Sequence, residues 1–309
     1  MSETNPKHIM VMTGATSGIG AQAVKQFVAS PDTLVLTGVR GKGRTVSGAE
    51  VFPLDLASLA SVRAFADAVK QRLGDAKIEM LVLNAGAQFP KDQRSVDGFE
   101  MTFATNHLSH YLLARLLMPS VAEGGRLVIT TSDTHDPSKM PLAPRTLDPE
   151  ALAYPAKDST ARAYAASKLC NLLTARSFAA LDDVRQRHIS VIAYNPGLTG
   201  GTSLGGQSAL KDFIMTALRP LLRFVSLFLP QLYMNTPEQS GVALAELVLG
   251  HVTPPSGRVY ASHVRDKITF PDPSKLAQSD EARDRLWRES AIMVGLQVES
   301  TEKNAGDPA

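Results

Sequence analysis

Cysteine is almost missing from this sequence: one thiol, Cys170, in 309 residues excludes an intramolecular disulfide and any zinc cage built on cysteines. Charge of one sign is missing too. Thirty-two Lys and Arg against 30 Asp and Glu leave a formal charge of +2, with the basic residues scattered, so no electrostatic footprint for a nucleic acid is present. No uninterrupted apolar run reaches the ~20 residues that a membrane-spanning helix needs. The most apolar stretch, 201–234, is broken by Arg219, Pro220, Arg223 and Pro230. The opening MSETNPKHIM lacks a basic segment followed by an apolar one, so nothing in it points to secretion, and a cytoplasmic location is the expectation. Internal repeats, low-complexity tracts and long linkers are absent as well. What remains, 44% hydrophobic and 20% charged residues, suits a chain that buries a sizeable core.

Runs rich in Val, Ile and Leu recur through the chain: HIMVMT, TLVLTG, AEVFPL, IEMLVLNA, RLVITT and HISVIAYN. Continuous apolar runs of this length fit strands buried on both faces of a parallel sheet. Helical patterns separate them: GIGAQAVKQFVAS from Gly18, SLASVRAFADAVKQRL from Ser58, the stretch from Val96 to Met118, and an amphipathic-looking ARAYAASKLCNLLTARSFAA from Ala161. This alternation predicts an α/β fold with a doubly wound parallel sheet of the Rossmann type. One domain is expected over 1–309, with its core at about 8–260, a helical apolar insertion at about 200–235 and a C-terminal helical tail at about 261–309. Between Arg40 and Glu50, GKGRTVSGA is too short and glycine-rich for the usual crossover helix, so a loop is predicted there.

The first strand is followed by TGATSGIG, with Gly14, Gly18 and Gly20 at a strand-to-helix junction. Glycines there permit a tight turn and a close approach to a pyrophosphate, whose charge meets the free N–H groups of the helix start. Further on, Tyr164 and Lys168 stand four residues apart and share a helix face. A phenol beside an ammonium is drawn towards neutral pH, and so becomes a usable proton donor and acceptor. His107, His110 and His135 have no metal-ligand spacing, and a hydrogen-bonding role suits them better than zinc.

TGATSGIG resembles the TGxxxGxG loop of short-chain dehydrogenases/reductases. Five further stretches match that family in order: NAG at 84–86, Asn106 in FATNHLSH, Ser132 in LVITTSD, the Tyr164/Lys168 pair, and NPG at 195–197. The match covers roughly residues 8–260. The resemblance implies carbonyl reduction, reversible as alcohol oxidation, with Tyr164 as general acid and base. Ser132 would stabilise the developing oxyanion, with Thr131 the competing donor, of which strand alternation lets only one face the site. Lys168 would also hydrogen-bond the nicotinamide ribose, and Asn106 would link Lys168 to solvent through water. The cofactor would lie along Gly14, Thr16, Ser17, Gly18, Ile19 and Gly20, then Asp55 and Leu56, then Asn84, Ala85 and Gly86, and finally Pro196, Gly197 and Thr199, with Thr202 the alternative to Thr199. No metal is needed, because the nicotinamide carries the hydride.

The acidic residue that NAD-binding members place after the second strand is replaced here by Val39 in TLVLTGVR, and Arg40 follows. An arginine there can pair with a 2′-phosphate, with Lys42 and Arg44 adding charge, so NADP(H) is the expected cofactor. The apolar insertion, loaded with Leu, Phe and Met, would form a substrate lid and points to a lipophilic or aromatic carbonyl. Peripheral membrane contact aided by Lys211, Arg219 and Arg223, or a subunit contact in a homo-oligomer, are its alternative uses. In texture the chain is nearest to retinol dehydrogenase-like members and to light-dependent protochlorophyllide reductases. Leu198 stands where the latter usually carry a cysteine, which argues against photochemistry. A nicotinamide-binding sensor without turnover is the competing class.

Overall fold

Alternating side chains decide how the sheet of this protein is covered. In a computed structural model that describes residues 8–30, 32–41, 45–89, 91–156, 160–200, 226 and 233–297, strand β1 (His8–Thr13) sends Ile9 and Val11 to one face and Met10 and Met12 to the other. The first face packs under helices Leu59–Leu73, Ser109–Leu117 and Thr160–Ala180, and the second under Gly18–Phe27 and Pro237–Val248. Two apolar layers therefore bury the strands from both sides, which is why their sequences read as unbroken apolar runs.

The remaining strands are β2 (Thr33–Val39), β3 (Glu50–Pro53), β4 (Ile78–Leu83), β5 (Val121–Thr130), β6 (Ser190–Asn195), β7 (Tyr260–Val264) and β8 (Lys267–Thr269). Their spatial order is β3-β2-β1-β4-β5-β6-β7-β8, parallel throughout except for β8. The chain winds outward from β1 to β3, then restarts at β4 on the other side of β1. A crevice opens at the carboxyl ends where the winding reverses.

Three features depart from the sequence reading. The helix expected from Val96 begins only at Met101. Gly98 turns at φ +88°, and the Asp97 carboxylate accepts the Leu59 N–H at 2.9 Å, capping the neighbouring helix instead of entering its own. That later helix is also irregular, with a π-helical turn at Ala104–Leu108 between Met101–Phe103 and Ser109–Leu117. Finally, the sheet continues past Tyr260 into a β7–β8 hairpin, turned by Arg265 and Asp266 at φ +53° and +58°. Hairpin turns with two positive φ angles usually announce themselves by Asn-Gly or Asp-Gly, and Arg-Asp does not. The expected loop between β2 and β3 is present: residues 45–49 hold no helix, whereas Lys42 and Arg44 lie outside the described residues.

Helix Thr160–Ala180 is not amphipathic in its setting. From Ala163 to Phe178 every residue is buried except Tyr164 and Arg176. Arg176 reaches out to the Asp280 carboxylate at 2.7 Å. Helix Asp280–Met293 closes the far side, with Trp287 edge-on to Tyr111 and Phe178 at centroid distances of 5.0 and 5.1 Å. The C-terminal segment is thus packed onto the core helices.

Candidate active site

Six strand ends deliver the predicted residues to one crevice. A cleft of about 840 Å³ is lined by Gly14, Thr16, Ser17, Gly18, Ile19 and Gly20 after β1, by Arg40 after β2, and by Asp55 and Leu56 after β3. Asn84, Ala85 and Gly86 follow β4, Ser132 follows β5, and Pro196, Gly197 and Thr199 follow β6, with Tyr164 and Lys168 on the facing helix. Of the predicted residues that are described, only Asn106 stays behind the wall, fully buried.

The glycine loop fits a bound pyrophosphate for steric reasons. Gly14 sits at φ +74°, and a Cβ there would stand 2.7 Å from the Ala85 backbone. A Cβ at Gly20 would stand 2.0 Å from the Gly14 carbonyl oxygen. The loop is therefore tight against β4 and leaves its outer side open, while the Ser17 side chain makes no cap hydrogen bond to the N–H groups of the helix start. Asn84 holds loop and sheet together: its Nδ2 donates to the Gly14 carbonyl at 3.3 Å, and its Oδ1 accepts the Thr130 hydroxyl at 3.1 Å. At the far end Arg40 is exposed beyond buried Val39, and Asp55 Oδ1 accepts the Ala57 N–H at 3.0 Å.

Around Tyr164 the structure chooses between neighbours. Thr131 is buried and donates its hydroxyl to the Lys168 carbonyl at 2.6 Å. The adjacent Ser132 instead lines the cleft together with Tyr164, its hydroxyl accepting the Thr134 N–H at 3.3 Å. Lys168 is 2% exposed, with Nζ donating to the Thr130 carbonyl at 3.3 Å and lying 5.5 Å from the centroid of the Tyr164 ring. Burial pushes this ammonium down to about 8.

The expectation that Lys168 draws the Tyr164 phenol towards neutral pH is corrected. Burial raises the phenol well above its usual value, against the lowering influence of the nearby Ser132 hydroxyl, and the Asp133 carboxylate raises it further. The cation lies over the ring and spends its proton on Thr130, so its field at the hydroxyl is weak, while both groups pay the same desolvation. In this setting Tyr164 is held protonated.

Asn106 stands in the π-helical turn. Its Oδ1 accepts the Ala87 N–H at 2.8 Å, and its Nδ2 donates to the Ala87 carbonyl and the Ser167 hydroxyl at 2.9 and 3.1 Å. The side chain bonds these partners and not Lys168. The two still approach one another around Gly86, where a Cβ would lie 3.2 Å from Lys168 Nζ and 3.7 Å from Asn106 Oδ1. The Thr199 hydroxyl is turned inward, 2.9 Å from the Ser240 hydroxyl and 3.3 Å from the Pro196 and Gly197 carbonyls, and Thr202 lies outside the described residues.

Sequence reasoning passed over Asp133, Lys139, Phe89 and Met140, which also line the cleft. Asp133 follows Ser132 directly, and that adjacency was the available signal. Most of the apolar insertion at about 200–235, with Lys211, Arg219 and Arg223, lies outside the described residues. Among the described residues no cluster of His, Cys, Asp and Glu could hold a metal ion, and no helix is long and apolar enough to cross a membrane.

Comparison with known proteins agrees with this geometry. A family model described as short chain dehydrogenase matches residues 8–141. Polyprenol dehydrogenase of Mus musculus is 30% identical over 307 residues, covering 94% of this chain and 84% of that protein. Protochlorophyllide reductase A of Hordeum vulgare is 30% identical over 327 residues, covering 93% of this chain and 80% of that protein. The NADPH-bound carbonyl reductase from chicken fatty liver superposes with a TM-score of 0.56 at 18% identity, over 82% of this chain and 91% of that one, which speaks for the fold. With relatives at 30% identity over 93–94% of its length, the chain belongs to the short-chain dehydrogenase/reductase family of oxidoreductases.

Proposed function

We propose that this protein is an NADP(H)-dependent carbonyl reductase, reducing a lipophilic or aromatic aldehyde or ketone to its alcohol in a reversible reaction. The observation that carries the reading is Tyr164: it lines the cleft from an otherwise buried helix segment, together with Ser132 after β5 and with the Lys168 ammonium over its ring. The reduced nicotinamide, when bound, supplies the hydride to the carbonyl carbon. Tyr164 gives its phenolic proton to the carbonyl oxygen. Ser132 donates a hydrogen bond to that oxygen as its charge develops. Lys168, charged below about pH 8, then returns a proton to Tyr164 and draws its own from solvent past Asn106. A phenol whose ionisation is pushed upward by burial and by Asp133 rests protonated, the form that can give a proton to a carbonyl oxygen.

For the cofactor, Gly14 to Gly20 would hold the pyrophosphate, Arg40 the 2′-phosphate, and Asp55 and Leu56 the adenine side. Asn84, Ala85 and Gly86 would line the adjoining ribose, and Pro196, Gly197 and Thr199 the nicotinamide. The choice of NADP(H) over NAD(H) rests on Arg40 at the cleft rim and Val39 in place of an acid. The NADPH carried by the chicken carbonyl reductase supports it. The lipophilic substrate class rests on Phe89, Met140 and Leu198 in the wall. A protochlorophyllide reductase-like activity is the alternative, which the Hordeum relative supports.

Fluorescence titration with NADPH and NADH in parallel, then NADPH oxidation against long-chain and aromatic aldehydes and ketones, tests the reading. Tighter NADPH binding is expected, lost in Arg40→Ala, with turnover that Tyr164→Phe lowers by at least ~100-fold while binding persists. Equal NADH binding would remove the Arg40 argument. Binding without turnover in the dark would direct attention to illumination, and then to a sensor role.

A further inference from the structure

Among the buried titratable groups that the reaction above leaves unused is one that joins three parts of the site. His110 is 1% exposed and lies one helical turn beyond Asn106. Its Nδ1 is 3.0 Å from the Asn106 main-chain carbonyl, and its Nε2 is 3.0 Å from the Thr13 hydroxyl. A carbonyl oxygen can only accept, so Nδ1 carries the proton. The Thr13 oxygen already accepts two N–H groups, from Asn84 and Ala85, each at 3.1 Å. Its own proton is thereby directed at Nε2. Every polar atom of the ring has one assigned partner, and the arrangement holds for one tautomer of the neutral imidazole.

Those partners belong to three separate segments. Thr13 precedes Gly14, where the glycine loop starts; Asn84 and Ala85 begin the segment at the end of β4; Asn106 stands in the π-helical turn that also faces Lys168 across Gly86. We propose that His110 is a positioning residue with two separable halves: Nε2 fixes the glycine loop for the cofactor through Thr13, and Nδ1 fixes the π-helical turn that sets Asn106. The cofactor half rests on the nicotinamide reading given above. The charged groups facing the ring agree with a neutral state. Lys168 from the adjoining helix opposes a second positive charge, His107 sits one turn earlier on the same helix, and the ring's ionisation is pushed down to about 4 by burial. A proton on Nε2 would meet an oxygen whose accepting capacity Asn84 and Ala85 already use.

Two substitutions separate the halves. In His110→Asn the amide nitrogen can take the place of Nδ1 and keep the Asn106 carbonyl, while nothing reaches Thr13. In His110→Gln the amide oxygen can take the place of Nε2 and keep Thr13, while Asn106 loses its donor. His110→Asn is expected to raise the Kd for NADPH about tenfold and to affect kcat less; His110→Gln is expected to lower kcat about tenfold and to affect Kd less, each reflecting one orphaned buried group. Without any nucleotide, amide hydrogen exchange at residues 14–20 should quicken in His110→Asn and not in His110→Gln. In the unmodified protein, nitrogen-15 spectra of the ring should show the Nδ1–H tautomer with no titration above pH 5. Loss of melting temperature in both variants, with Kd and kcat moving together and no difference in exchange, would reduce His110 to packing and overturn the proposal. So would an Nε2–H tautomer or a ring titrating near 6.5. If the substitutions prevent folding, Thr13→Val must reproduce the faster exchange and the weaker NADPH binding. If the unmodified protein binds no NADPH, the proposed function falls, while the exchange and tautomer measurements still decide the role of His110.

Discussion

Lys168 is an ammonium buried to 2% exposure that faces a glycine rather than a carboxylate, and its proton is correspondingly loosely held, at about 8. In the proposed reduction that proton recharges Tyr164. The rate of carbonyl reduction at saturating substrate is therefore expected to fall as pH rises through about 8. Gly86 makes the link testable, because a methyl group there would stand 3.2 Å from Nζ, closer than most side chains approach. Gly86→Ala must displace the amine or strip it further of polar neighbours, and both favour its neutral form. A kcat lowered about tenfold with the alkaline limb moved to lower pH is expected, as a pH–rate profile will read. A limb left in place would separate Gly86 from Lys168.

Elements explain what single residues could not announce. TGATSGIG, the Tyr164/Lys168 spacing, Ser132 and the six strands from β1 to β6 were legible because their signals are local: a glycine at positive φ, an i,i+4 pair, a continuous apolar run. The state of the Tyr164 phenol was not legible, since it depends on burial and on Asp133 arriving from another element. The π-helical turn was hidden for a similar reason, because nothing in ATNHL breaks a helix and the turn is held by Asn106 bonding to Ala87 and Ser167. Helix Asp280–Met293 looked like a tail on sequence, yet Ser290 and Trp287 lock onto the helix that carries that turn. Ser290 Oγ lies 2.9 Å from His107 Nε2, and the Tyr111 hydroxyl donates to the Trp287 carbonyl at 3.0 Å. Trp287→Ala empties a site walled by Tyr111, Phe178 and the Arg115 guanidinium. A loss of ~3–5 kcal/mol in urea unfolding is expected. A loss under ~1 kcal/mol would show that this helix is an appendage and not part of the core.

At the scale of the whole molecule, the described core holds two histidines with no room for charge. Burial pushes His107 down to about 3 and His110 down to about 4, from an ordinary value of 6.5. In the unfolded chain both take up protons as pH falls through 6.5; in the folded protein neither does until pH 4 or below. Between those limits the unfolded state binds more protons, so acid favours unfolding, and the stabilisation present above pH 6.5 is lost progressively towards pH 4. Each histidine contributes ~2 kcal/mol between pH 7.5 and 5, about 4 kcal/mol for the pair. That is a large part of the 5–15 kcal/mol typical of a folded domain. Burial lowers His135 and His263 in the same sense, and both add to the slope. Asp133, pushed up by burial, acts oppositely, since it is easier to protonate in the folded state and offsets part of the loss at low pH. Urea denaturation at pH 7.5, 6 and 5 should therefore show a midpoint falling with pH. His107→Gln, which keeps a polar contact for Ser290 without an ionisable ring, should flatten the slope by roughly half the pair's share even if it lowers stability at pH 7.5. A midpoint independent of pH across that range would mean that the two rings carry protons in the folded protein, and the neutral hydrogen-bond pattern from Thr13 through His110 to Asn106 would have to be redrawn.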